Sequence, residues 1–145
     1  MHILKKFKFE AAHRITNHDG LCDNLHGHSY KFIVCISNDM DDDEPKNSGM
    51  VMDFQKMKEL LASVVVSYDH ALILSSDIRD DFDEQLDKLD TKKVYITGRT
   101  TVENLAIDIY DKILNIVDPL GCSLESVELW ETENNSALYK GEWSY

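Results

Sequence analysis

Residues 22 to 30, Cys-Asp-Asn-Leu-His-Gly-His-Ser-Tyr, place a thiol four positions before a His-x-His pair. On an extended chain side chains alternate between faces, so His26 and His28 point the same way and can share one metal ion, with Gly27 on the other face. A third ligand can come from a second strand: Phe7, Phe9, Ala11 and His13 alternate with Lys6, Lys8 and Glu10, and His13 ends that run. Three imidazoles with a fourth position open to water or substrate is how catalytic zinc is held, whereas structural zinc is closed by four protein ligands. A His-x-His pair also arises by chance, and a lone strand histidine is commonly a core or surface residue. The alternating strand that ends at His13, and Cys22 close by, single this pair out. Cys22, His26 and His28 form the candidate reactive centre.

Other residues have both a chemical and a bland reading. Asp69 and His70 could set the protonation of a nearby thiol and carry protons. Adjacent residues do not face each other on a helix or strand, so the pair needs irregular backbone; the bland reading is a helix C-terminus with the His on the dipole. Thr100 with Glu103 fits a capping box, which makes Glu103 a cap. Glu131 continues the apolar face of Val127 and Leu129, so it lies either at the solvent edge or in a pocket with a partner. His18 reads as solvated. The run Asp41-Asp42-Asp43-Glu44 with Pro45 reads as an exposed turn, because it lacks the Gly and terminal Glu of a calcium loop.

These residues need elements to position them. Residues 2–13 and 27–37 read as the first two strands, joined by a loop, 14–24, that carries Cys22. Asp53 caps a helix in which Met57, Leu60, Leu61, Val64, Val65 and Tyr68 recur at helical spacing, ending near Asp69 and His70. The acidic stretch 75–90 suggests a short surface helix, and 94–96 a brief extended segment. A second long helix opens at Thr100 to Asn104 and ends at Asp118-Pro119-Leu120-Gly121. Residues 126–132 and 137–143 read as a hairpin. The layout is α+β: an antiparallel four-stranded sheet covered on one side by two helices. Such a sheet has open edges, which closure with other subunits would protect.

Composition narrows the function. The chain of 145 residues reads as one domain, 1–145, with a sizeable core. No apolar run approaches the roughly 20 residues that span a membrane, and no apolar signal-peptide core follows Met1, so a cytoplasmic protein is expected. Cys22, Cys35 and Cys122 are odd in number and widely spaced, which argues for a reducing compartment and makes Cys35 a packed small hydrophobe. A formal charge of −12, with 27 acidic against 15 basic residues, opposes binding to nucleic acid. A small anionic ligand remains compatible with an acidic surface.

Taken together, Phe9-Glu10-Ala11-Ala12-His13, Cys22-x-x-x-His26-Gly27-His28, Gly49-Met50-Val51-x-Asp53-Phe54, Asp69-His70, Thr101-x-Glu103-Asn104 and Glu131-Thr132 resemble the 6-pyruvoyltetrahydropterin and 6-carboxytetrahydropterin synthase family, in the family's order and over nearly the whole chain. The resemblance implies the tunnelling fold, in which trimers close their sheets into a barrel and stack as a homohexamer. It implies Zn2+ on His13, His26 and His28, and Cys22 as the base. Asp69 and His70 would complete the catalytic group from a neighbouring subunit. Glu103 would anchor the pterin ring beside Thr101, and Glu131 would contact the substrate near its side chain. The short spacer between Cys22 and His26 is similar to the bacterial 6-carboxytetrahydropterin branch, which serves queuosine biosynthesis; a longer spacer marks the pyruvoyl branch of biopterin synthesis. The substrate so implied is 7,8-dihydroneopterin triphosphate. Thr100 stands where Pro is common, and the stretch from Ser75 to Gly98 is longer than in the most compact members. A metal-free cysteine hydrolase built on Cys22, His70 and Asp69, and a zinc- or pterin-binding module without turnover, are the readings from other classes.

Overall fold

The computed structural model describes residues 1–38 and 49–141. The acidic turn at 41–45, and the end of the expected last strand beyond 141, lie outside the described residues. Two long strands, β1 (His2–His13) and β2 (His26–Ser37), pair antiparallel along their whole length. Their alternation sorts the side chains: Phe7, Phe9, Ala11 and His13, with Tyr30, Phe32, Val34 and Ile36, are buried on one face. Phe7 stands opposite Phe32 and Phe9 opposite Tyr30, and each pair stacks with ring centroids 5.0 Å apart. Cross-strand aromatic pairs of this kind stabilise one register over its neighbours.

Two helices cover that face. In α1 (Phe54–Tyr68) the Asp53 carboxylate accepts from the amides of Gln55 and Lys56, satisfying donors that a helix start leaves open. Its buried stripe is Met57, Leu61, Val64 and Tyr68. The last long helix, running from Val102 to Val117, buries Leu105, Ala106, Ile109, Tyr110, Ile113 and Val117 against the sheet. The expected box of Thr100 and Glu103 is not its start: Thr101 is the cap, its hydroxyl accepting from the Asn104 amide. Thr100 is instead buried one residue earlier.

The four expected strands are present and pair antiparallel, but two further parallel strands make the expected four-stranded antiparallel sheet a six-stranded mixed one. β3 (Ala71–Ser75) runs parallel to β1, and β4 (Lys93–Ile96) runs parallel to β3. β5 (Ser123–Trp130) pairs with β2, and β6 (Ser136–Tyr139) with β5, giving the order β4-β3-β1-β2-β5-β6. Every residue of β3 is buried. Such a strand shows no alternation to find, because both of its faces are covered. Its second cover is the short helix α2 (Asp81–Asp87), whose Leu86 packs on Leu72 and Leu74. The helix from Val102 to Val117, in chain order, is α3. Cys35 departs from expectation: it is half-buried on the face opposite the core, in phase with Lys31 and Ile33.

Phe32 is fully buried and touches both Phe7 and Phe9. Phe32→Ala should therefore cost about 3–5 kcal/mol of stability, read as a lower urea midpoint at fixed protein concentration. An unchanged midpoint would mean that this aromatic ladder does not hold the sheet together.

Candidate metal centre

The β1–β2 register sets His13 opposite His26 and Ala11 opposite His28, on the buried face and at one end of the pair. The three rings meet edge to face, with centroids 4.6 to 5.1 Å apart. One ligand nitrogen from each lies within 4.8 Å of the others. On the opposite face Gly27 eases the close approach of the two backbones: a Cβ there would sit 3.3 Å from the Ala11 carbonyl oxygen.

The hydrogen bonds fix which nitrogen faces inward. His13 Nδ1 is 2.7 Å from the Thr100 carbonyl, and His26 Nδ1 is 2.6 Å from the Asn24 carbonyl. A carbonyl only accepts, so both Nδ1 atoms carry the proton and both Nε2 atoms present lone pairs. Those two Nε2 atoms are 3.1 Å apart. Two lone pairs at that distance repel unless a cation joins them, and tetrahedral nitrogen ligands of zinc lie about 3.3 Å apart. His28 Nε2 is buried without any hydrogen-bond partner. With inward lone pairs, outer nitrogens held by carbonyls and an orphaned third nitrogen, the three residues could hold a metal ion.

Burial also disfavours the protonated forms of His13 and His28. It pushes His13 down to about 4, against the Thr100 hydrogen bond and with help from His26 and His28. His28 is lowered too, by burial first, with Glu131 opposing. Glu131 Oε1 lies 3.5 Å from Nε2 of both His13 and His28. Of the two readings of this carboxylate, the pocket with partners is the one observed. Its negative charge favours a cation among the imidazoles.

The remaining residues are distributed around this centre. Cys22 sits half-buried in a single helical turn, Leu21–Asp23, and its carbonyl accepts from the Ile15 amide at 2.7 Å. Asp69 caps the C-terminus of α1 and pairs with His70, Oδ2 to Nδ1 at 2.9 Å. The irregular backbone this pair requires is present: His70 has φ of 58°. The Glu10 amide, and after it His70, hold the Asp69 carboxyl below the ordinary carboxylate range. His70 is 78% exposed and lines, with Glu10, Ala12, Ser29 and Leu72, a cavity of about 560 Å³. Among the described residues, no hydrogen bond or ion pair joins Asp69 or His70 to Cys22 or to the three imidazoles. Glu103 is exposed on the first turn of α3, beside Thr101. Sequence reading missed the two carbonyls that orient the rings, because any residue carries one.

The curled mixed sheet with its two long helices packed on one face is a tunnelling fold, an α+β architecture. The profile of the 6-pyruvoyl tetrahydropterin synthase family matches residues 2–142, and the chain belongs to that family. It is 35% identical over 141 residues to the 6-carboxy-5,6,7,8-tetrahydropterin synthase of Haemophilus influenzae, spanning 95% of this chain and 97% of that one. To the 6-pyruvoyl tetrahydrobiopterin synthase of Pongo abelii it is 28% identical over 154 residues, spanning 97% and 91%. The structure of Caenorhabditis elegans 6-pyruvoyl tetrahydropterin synthase matches with a TM-score of 0.70 and 28% identity, covering 98% of this chain and 96% of that one. No helix among the described residues is long and apolar enough to cross a membrane.

The metal-free protein should weaken in acid. His13 takes up its proton near 6.5 in the unfolded chain but near 4 in the folded one. Between those values the unfolded state binds more protons, so stability present above 6.5 is lost as pH falls, by about 3 kcal/mol. Urea midpoints of chelator-treated protein at about pH 7 and about pH 5 should show about 2 kcal/mol of that loss, and His13→Gln should shrink it. An equal loss in the variant would remove His13 as the cause.

Proposed function

We propose that the chain is a zinc-dependent lyase, a 6-carboxytetrahydropterin synthase of queuosine biosynthesis. It would convert 7,8-dihydroneopterin triphosphate, consuming water, to 6-carboxy-5,6,7,8-tetrahydropterin, acetaldehyde and triphosphate. The observation that carries this reading is the convergence of three imidazoles at the end of β1 and β2, with the Nε2 lone pairs of His13 and His26 facing inward, and with Cys22 on the loop between those strands. The short spacer from Cys22 to His26, and the higher identity to the carboxy synthase than to the pyruvoyl synthase, favour the carboxy product.

His13, His26 and His28 would hold zinc, which when bound supplies a Lewis acid to a substrate oxygen. Cys22, as thiolate, would take a proton from the substrate side chain. Asp69 would fix the tautomer of His70 by accepting from Nδ1, leaving Nε2 free to exchange a proton at the open surface. Glu103 and Thr101, at the start of α3, would hold the pterin ring. Glu131, within 3.5 Å of two of the imidazole nitrogens, would bind the substrate near its side chain.

Asp69 and His70 would act on a neighbouring subunit's centre within a homohexamer. The exposure of His70, and the absence among the described residues of a hydrogen bond or ion pair from it to the centre of its own chain, support that arrangement. The same absence of a direct link disfavours a metal-free Cys22–His70–Asp69 hydrolase within one chain. The single domain, 1–145, would work in the cytoplasm, consistent with free thiols at Cys22, Cys35 and Cys122.

Zinc-loaded protein incubated with 7,8-dihydroneopterin triphosphate should yield 6-carboxytetrahydropterin and acetaldehyde by mass spectrometry. 6-Pyruvoyltetrahydropterin in their place would assign the chain to the sister branch. Cys22→Ala should keep its metal and lose turnover by about a hundredfold or more; full activity would remove Cys22 from the mechanism. Mixing Cys22→Ala with His70→Ala protein should restore part of the activity, and no recovery after verified subunit exchange would count against shared sites.

A further inference from the structure

Arg14 follows the metal-binding His13 directly, and it is 6% exposed. Its main chain is clamped, since Thr100 Oγ1 donates to its carbonyl at 2.6 Å. Its guanidinium makes two sets of contacts. Toward the Cys22 loop, Nε donates to the Asp23 carbonyl at 2.9 Å and a terminal nitrogen pairs with Asp23 Oδ1 at 2.5 Å. Toward α2, the other terminal nitrogen donates to both Asp80 oxygens at 2.7 and 2.8 Å and lies 3.4 Å from Asp83 Oδ1. The guanidinium plane also rests 4.9 Å from the centroid of the Phe82 ring.

The far side of this network is anchored. Asp83 is buried and accepts from Thr16 Oγ1 at 2.8 Å. Asp80 caps α2 in a reciprocal capping box with Asp83. Asp23, next to Cys22, is the exposed end. The Cys22 carbonyl bonds to the amide of Ile15, the residue after Arg14. The thiol-bearing turn is thus tied at two consecutive residues, Cys22 and Asp23, to the two that follow a metal ligand.

We infer that Arg14 is a positioning residue for Cys22, fixing the thiol-bearing turn through Asp23 while α2 braces the guanidinium. The inference rests on the proposed role of Cys22 as base. It gives a purpose to the acidic stretch around α2, to which the sequence assigns no chemistry. A planar fork suits the task, because it holds separate carboxylates at fixed angles where an ammonium is a single point.

The test is the alkylation rate of Cys22 by iodoacetamide, resolved by peptide mass spectrometry in the metal-loaded protein, with Cys35 and Cys122 as internal controls. Asp23→Asn removes the charged contact to the turn without stranding a buried charge. Asp80→Asn neutralises the brace and leaves a competent helix cap. Each should raise Cys22 alkylation by about fivefold while metal content and the other two cysteines stay unchanged, and kcat should fall with KM little altered. Arg14→Lys should recover only part of the wild-type behaviour of an Arg14→Gln protein. Asp87→Asn, which breaks the pair between the end of α2 and Arg79, should leave Cys22 alone. Wild-type alkylation of Cys22 in folded Asp23→Asn and Asp80→Asn proteins, or an equal rise in Asp87→Asn, overturns the inference. Alkylation needs no turnover, so wild-type protein that forms no product would sink the synthase reading and leave this result standing.

Discussion

The pairing of β1 with β2 in a single register is the constraint on which the rest depends. Because strand side chains repeat every two residues, a slip of one residue would send His26 and His28 to the opposite face from His13. The register is held on the same face that it must organise: Phe7 on Phe32 and Phe9 on Tyr30 lead, in the same alternation, to Ala11 beside His28 and His13 beside His26. The aromatic ladder and the imidazole cluster are one continuous row. Hydrophobic packing at one end therefore sets ligand geometry at the other, and the small Ala11 leaves room where the row changes from rings that stack to rings that converge.

Placement alone does not orient an imidazole. The carbonyls of Thr100 and Asn24 turn His13 and His26 so that their Nε2 lone pairs face inward. Thr100 lies on the approach to α3, and Asn24 closes the turn that carries Cys22, so elements distant in sequence meet at the centre. Thr100 acts twice, since its hydroxyl also holds the main chain of Arg14. Gathering three imidazoles and a carboxylate in a partly buried site is unfavourable without a cation, through repulsion between the inward lone pairs of His13 and His26 and through lost hydration. A bound metal reverses both effects, and the binding free energy adds to folding.

The two faces of the sheet divide the work. One is covered by α1 and α3 and carries the imidazoles among the core residues. The other presents Lys6, Lys8, Glu10 and Lys31, and α2 covers only its β3 side through Leu86. His70, held by its left-handed backbone and by Asp69, belongs with Glu10 and Ser29 on this second surface. Among the described residues no hydrogen bond or ion pair joins it to the Cys22 thiol, and the edge strands β4 and β6 are where a sheet of this kind can be extended.

Periodicity made much of this legible. Alternation in residues 2–13 and 27–37 located β1, β2 and the shared face of the three histidines, because period two is a property of the extended backbone itself. The same holds for the buried stripes of α1 and α3, and for Asp53 as a cap. The all-buried β3 was not legible, since alternation vanishes when both faces are covered, and without it the parallel extension of the sheet could not be inferred. Thr100 was misread as a cap because Thr100 and Thr101 satisfy the same local rule, and only packing placed the former in the interior. The sequence by itself determined which residues could share a metal, through strand spacing that needs no partner. Only the tertiary structure decided which nitrogens face inward, where Glu131 points and what Arg14 grips. Those depend on carbonyls and carboxylates brought together from across the chain, and such groups leave no local pattern.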